Sequence, residues 1–134
     1  MQQLTKKLLD KKGTTLAKVL FGVYSLSLLV ITLMPTVVFK SKEGSWLSTI
    51  NFKNGDKVVH AALFFIFTLL LFYSAYVSEK FRLILIPVLV GIGIEIAQFA
   101  TGWGRTFDLF DILANTIGTF IAFFLIQKLT PPKP

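Results

Sequence analysis

The sequence predicts an all-α fold, an integral membrane bundle of four transmembrane helices with both termini cytoplasmic. Three observations carry this reading: four apolar runs of bilayer-spanning length, a composition too apolar for a soluble domain, and basic residues concentrated in alternate connections. The chain has 134 residues, is 54% hydrophobic and contains 14 Phe. Its mean hydropathy is +0.70. A soluble domain of this size must turn polar groups to water and rarely carries so much apolar surface.

The first run extends from Ala17 to Phe39, the second from Val58 to Val77, the third from Phe81 to Ala100 and the fourth from Leu109 to Leu129. Each is close to the ~20 residues that cross a bilayer core as a helix. The basic stretch before the first run is also what precedes a signal peptide. The apolar core is longer than a signal peptide's, and no small-residue cleavage site follows it, so a retained helix is expected. Buried soluble helices would show a polar stripe, whereas Ala61 to Phe72 offers only Thr68. The chain divides into a basic N-terminal segment (1–16), the transmembrane domain (17–129) and a short tail (130–134).

Charge sets the expected orientation. Lys6, Lys7, Lys11, Lys12 and Lys18 precede or open the first run; Lys80 and Arg82 lie in the 2–3 turn; Lys128 and Lys133 lie at the C-terminus. These nine face five in the other two connections: Lys40, Lys42, Lys53, Lys57 and Arg105. The positive-inside rule then places the termini in the cytoplasm. Tyr76 and Phe81 at one interface, and Trp46 and Trp103 at the other, suit aromatic anchoring belts. The net charge of +7 thus serves topology, and with no basic groove interleaved with aromatics, no nucleic-acid partner is expected. The absence of cysteine excludes disulfides, thiolate metal sites and cysteine nucleophiles.

Two segments lie outside the runs. Leu4, Leu8 and Leu9 recur at helical spacing among lysines, which fits a short helix on the inner leaflet or a disordered basic tail. Residues 40–56 form an outer loop, either a plain connector or a lid carrying Trp46 and Phe52.

Ionisable residues inside membrane helices cost free energy unless they are paired or hydrated, so their positions are informative. Asp56, Lys57 and His60 open the second helix on one face, with Asp56 suited to cap it. Glu95 and Gln98 share a face near the end of the third helix, one turn beyond Gly91, which permits close helix approach. Arg105, Asp108 and Asp111 surround the start of the fourth helix, where Asp108 is placed to cap it and Asp111 to meet the positive end of its dipole. Asn115 and Gly118 continue the Asp111 face. By residue count, Asp56, Lys57, Arg105 and Asp108 form a mouth, His60, Gln98 and Asp111 lie about a turn deeper, and Glu95 and Asn115 lie deepest and level with each other. The inner halves of the same helices are almost wholly apolar, so a functional pocket accounts for the clustering better than scattered fastenings do. Histidine with several carboxylates also makes a metal set, but the spacing matches no diagnostic motif; cofactors remain unassigned and a divalent metal is not the favoured reading.

At these residues the sequence resembles the VanZ-like family of bacterial membrane proteins. The resemblance rests on Asp56-Lys57-x-x-His60, Glu95-x-x-Gln98 and Gly104-Arg105-x-x-Asp108-x-x-Asp111-x-x-x-Asn115-x-x-Gly118, and spans about residues 20–127. Ala61 departs from it, where the family often has an aromatic residue. The resemblance implies a four-helix domain in the bacterial cytoplasmic membrane and an association with resistance to the glycopeptide teicoplanin, but no settled reaction.

The expected function is binding of a membrane lipid or a lipid-linked or lipidated envelope molecule at an outward-facing polar pocket, affecting glycopeptide sensitivity. Asp56, Lys57, Gln98, Arg105, Asp108 and Asn115 would line the binding region, with Lys57 and Arg105 meeting the head group. The alternative is an intramembrane enzyme on the same substrates, with Glu95 or Asp111 as general base, His60 as acid or ligand and Arg105 as electrostatic stabiliser. A small transporter with Glu95 as a proton or cation site is a third reading. Gly118 and Ala122 offer a small-xxx-small surface for a homo-oligomer.

Overall fold

The computed structural model describes residues 3, 6, 10–34, 55–102 and 106–130. It contains four helices, α1 (Thr15–Leu33), α2 (Gly55–Ser74), α3 (Arg82–Thr101) and α4 (Leu109–Leu129), and no strand among the described residues. All four are long and apolar enough to cross a membrane. Most of the N-terminal segment, the lid or connector at 40–54, and Trp46, Trp103 and Arg105 lie outside the described residues.

The helix ends follow local chemistry. Thr14 caps α1 by accepting from the Ala17 N–H at 3.2 Å. The helix stops at Leu33 rather than at Phe39. Met34 is extended, with φ −63° and ψ 136°, as the residue before a proline is driven to be, and Pro35 follows it. The second helix starts three residues earlier than its apolar run, because polar Gly55, Asp56 and Lys57 join its first turn. Asp56 is therefore a first-turn residue and not the cap; its carboxylate accepts from the Lys57 N–H at 2.9 Å. Gly102 ends α3 in the left-handed region at φ 63°, where a Cβ is unfavourable.

Helix α2 packs most extensively on α4, and α3 also packs on α4. The backbones of α2 and α4 come very close at Gly118. A Cβ there would lie 2.0 Å from the Ala61 carbonyl oxygen, so only glycine lets the two backbones meet. Ala122, one turn on, is fully buried. The small-residue surface expected to serve a homo-oligomer is therefore inside the protomer, between α2 and α4. Phe64, Phe67, Ile94 and Leu28 pack where α1, α2 and α3 meet.

The first helix is the least buried. Two polar contacts fasten it: the Tyr24 hydroxyl donates to Leu63 C=O at 2.8 Å, and the Gln98 amide donates to Thr32 C=O at 2.7 Å. Its outer face, with Leu16, Val23 and Leu26, is exposed, as a lipid-facing surface would be.

The two ends of the bundle differ. At one end Gly13 N–H bonds Tyr73 C=O at 2.7 Å, Lys12 lies over the Phe72 ring and Lys80 donates to Gln127 at 2.7 Å. At the other, the starts of α2 and α4 and the last turns of α3 gather the histidine and four carboxylates.

Candidate functional site

The site begins with the start of α4. Asp108 is its cap, accepting from the Phe110 N–H at 2.8 Å. In a capping box the residue three positions on reaches back to the cap's own N–H. Asp111 holds that position but turns to α2 instead. Glu95 of α3 takes its place, accepting from the Asp108 N–H at 3.2 Å. A side chain of one helix thus completes the cap of another and sets their relative height.

Lys57 joins α2 to α4. Its ammonium donates to Asp108 at 2.5 Å, to Asp111 and to Asp56 at 3.3 Å. The Lys57 ammonium, with the Phe110 N–H, holds the Asp108 carboxyl below its usual range. One ammonium therefore serves three carboxylates, a charge balance that leaves the cluster acidic among the described residues.

His60 lies one turn deeper on α2. Its Nδ1 is 3.1 Å from Asn115 Oδ1 and its Nε2 is 3.5 Å from Asp111 Oδ2. Donor atoms of His60, Glu95 and Asp111 all lie within 4.8 Å of one another. Exposure falls steadily into the bundle: the side chain of Asp56 is 61% exposed, Asp108 36%, Lys57 26%, Asp111 12% and His60 9%. Glu95 and Asn115 are sealed, at 0% and 1%. Glu95 Oε1 and Asn115 Nδ2 have no hydrogen-bond partner among the described residues. A buried polar atom without a partner costs on the order of 1–3 kcal/mol, more for a charged group.

Most of the residues singled out in the sequence meet here: Asp56, Lys57, His60, Glu95, Asp108, Asp111 and Asn115. Their depths need one correction. Glu95 is not level with Asn115. Asn115 lies against Gly91, where a Cβ would sit 3.1 Å from its Nδ2, one turn below Glu95. The reason is that α3 overshoots the start of α4: Glu95 is level with Asp108, and α3 runs six residues further, to Thr101, or about 9 Å. Gln98, buried at 2%, is tied to the end of α1 and fastens that helix. Thr32, whose carbonyl receives it, was not singled out in the sequence; a backbone acceptor leaves no side-chain signal.

Three comparisons with known proteins bear on this arrangement. The VanZ/LLP1 family model matches residues 9–130. Uncharacterized protein C11E3.10 of Schizosaccharomyces pombe is 40% identical over 75 residues, which is 52% of this chain and 45% of that protein. The chain thus matches less than half of that relative's length. No solved structure matches.

Proposed function

The chain belongs to the VanZ/LLP1 family, and from that premise we propose that it binds the polar head of a lipid-linked or lipidated envelope molecule at the acidic end of its bundle. The observation that carries this reading is the gradient from exposed Asp56 to sealed Glu95 at one end of four membrane-length helices. A folding device would put its polar groups where they satisfy each other. Here the most buried carboxylate keeps one oxygen without a partner among the described residues, beside a mouth bordered by lipid-facing surface.

The charge arrangement refines how a head group would be held. Lys57 is engaged by three carboxylates, so an incoming phosphate competes with them for its ammonium. A cationic or hydrogen-bond-donating group meets a surface that is acidic among the described residues. The apolar flanks beside the mouth, including Val58, Val59 and Leu109, are exposed and suit acyl or prenyl chains.

The family resemblance adds a finer expectation, which is protection against teicoplanin. A lipid-tailed glycopeptide is concentrated at the outer leaflet, each buried CH₂ contributing about 0.8 kcal/mol, whereas an untailed one stays in water. Expression in a sensitive Gram-positive host is expected to raise the inhibitory concentration of teicoplanin more than that of vancomycin. Equal protection against both would point to a general envelope change, and no protection against either would remove glycopeptides from this reading.

An enzymatic reading is favoured by one contact. His60 lies between Asn115 and Asp111, the arrangement that orients an imidazole for proton transfer. Turnover of a lipid head group by the purified protein, lost in His60→Gln, would establish it.

A further inference from the structure

We infer that His60, Glu95 and Asp111 form a binding site for one divalent first-row transition-metal cation, Zn²⁺ being the best match. This inference is independent of the head-group reading, since it concerns the protein without lipid. Three helices each contribute one ligand residue, and all three residues are buried. The donor atoms lie within 4.8 Å of one another. A zinc ion bonded at roughly 2.1 Å to each would need separations near roughly 3.4 Å. The donors must therefore draw in by up to about 1.4 Å, which rotation about the Glu and Asp side-chain bonds provides.

Two details suit a cation. The first is Glu95. One oxygen caps α4 through the Asp108 N–H, and the other is fully buried without a hydrogen-bond partner among the described residues. An acceptor left open on a carboxylate that neighbours two further donor residues is what a cation would fill. The second is the histidine. Its Nδ1 lies 3.1 Å from Asn115 Oδ1 and its Nε2 lies 3.5 Å from Asp111 Oδ2, so in the tautomer that donates Nδ1–H to Asn115 the Nε2 lone pair and the Asp111 oxygen are both open to one cation. Asn115 would be the outer partner that fixes the ring's tautomer, as such groups do at metal centres. One nitrogen and two carboxylates, with further positions left for water or a head-group oxygen, form a donor set that zinc accepts.

Lys57 supplies a distinguishing signature. Its ammonium already bonds Asp111, so it competes with a cation for that carboxylate. The experiment uses the full chain without a polyhistidine tag, purified in detergent, stripped with chelator and titrated with Zn²⁺. Elemental analysis after gel filtration is expected to find one zinc per chain. Co²⁺ in its place should give the visible absorption of a nitrogen- and oxygen-ligated ion. His60→Ala and Glu95→Gln should each weaken binding at least tenfold, and Lys57→Met should strengthen it severalfold. Glu79→Gln, in the turn at the opposite end, should leave it unchanged. The wild-type stoichiometry and the Co²⁺ spectrum need no variant to fold. Failure of the wild-type protein to retain one equivalent overturns the site. So does undiminished binding by His60→Ala and Glu95→Gln. Either result leaves head-group binding by metal-free protein to be judged separately.

Discussion

Replacing Glu95 by Gln keeps the length of the side chain and an oxygen able to accept from the Asp108 N–H, but removes the charge and the second acceptor. The cap of α4 should therefore survive. The melting temperature in detergent is expected to stay within about 4 °C of the wild type, the shift that roughly 1 kcal/mol produces in a protein of this size, while any protection against teicoplanin disappears. Asp108→Ala should do the reverse: it removes the cap acceptor for Phe110 N–H and a partner of Lys57, lowering the melting temperature while leaving Glu95 and His60 in place. Thermal unfolding and inhibitory concentrations of the two variants, at matched membrane level, check both halves. Retained protection in Glu95→Gln would show that its carboxylate serves only the fold. These residues were legible in the sequence because charge inside an apolar run is conspicuous. Their partners were less so. That Glu95 caps another helix, and that Asp111 leaves its own capping position for Lys57, depends on how far α3 overshoots α4, which residue spacing does not encode.

Element existence was also legible, since four apolar runs of the right length admit few alternatives. Helix ends depend on local chemistry that hydropathy does not carry. Apolarity continues through Val37, Val38 and Phe39, but Pro35 already favours a break before them; backbone sterics overrule hydropathy there. The polar opening of α2 by Asp56 and Lys57 was legible from their spacing with His60, although hydropathy alone begins only at Val58. Gly118 shows why a small-residue pattern does not name its partner. The same spacing that permits a dimer permits an intramolecular crossing, and the crossing on Ala61 is the one present. Gly118→Ala is expected to force α2 and α4 apart at about 1–3 kcal/mol, the usual cost of overpacking. Tyr24→Phe, which removes only the bond to Leu63 C=O, should cost about 0.6 kcal/mol, the average for an interhelical hydrogen bond in a membrane. Equal costs for the two would mean that the α2–α4 contact relaxes easily around an added methyl.

At the scale of the molecule, the described residues give the bundle a basic end, where the start of α1, the α2–α3 turn and the end of α4 meet, and an acidic end built from α2, α3 and α4. The account depends on the acidic end facing outward, because an envelope molecule in the outer leaflet cannot reach a site on the cytoplasmic side. The Lys and Arg distribution supports that orientation. The chain has no cysteine, so a single introduced thiol reports without background. Asp56 at the acidic end and Glu79 in the α2–α3 turn both have well-exposed side chains. Asp56→Cys and Glu79→Cys, treated in intact cells with a membrane-impermeant thiol reagent, give the most direct measurement. The thiol at position 56 should label from outside, and that at position 79 only after the cells are permeabilised. Labelling at position 79 and not at 56 in intact cells would contradict the account, since it would place the His60–Glu95–Asp111 site on the cytoplasmic face.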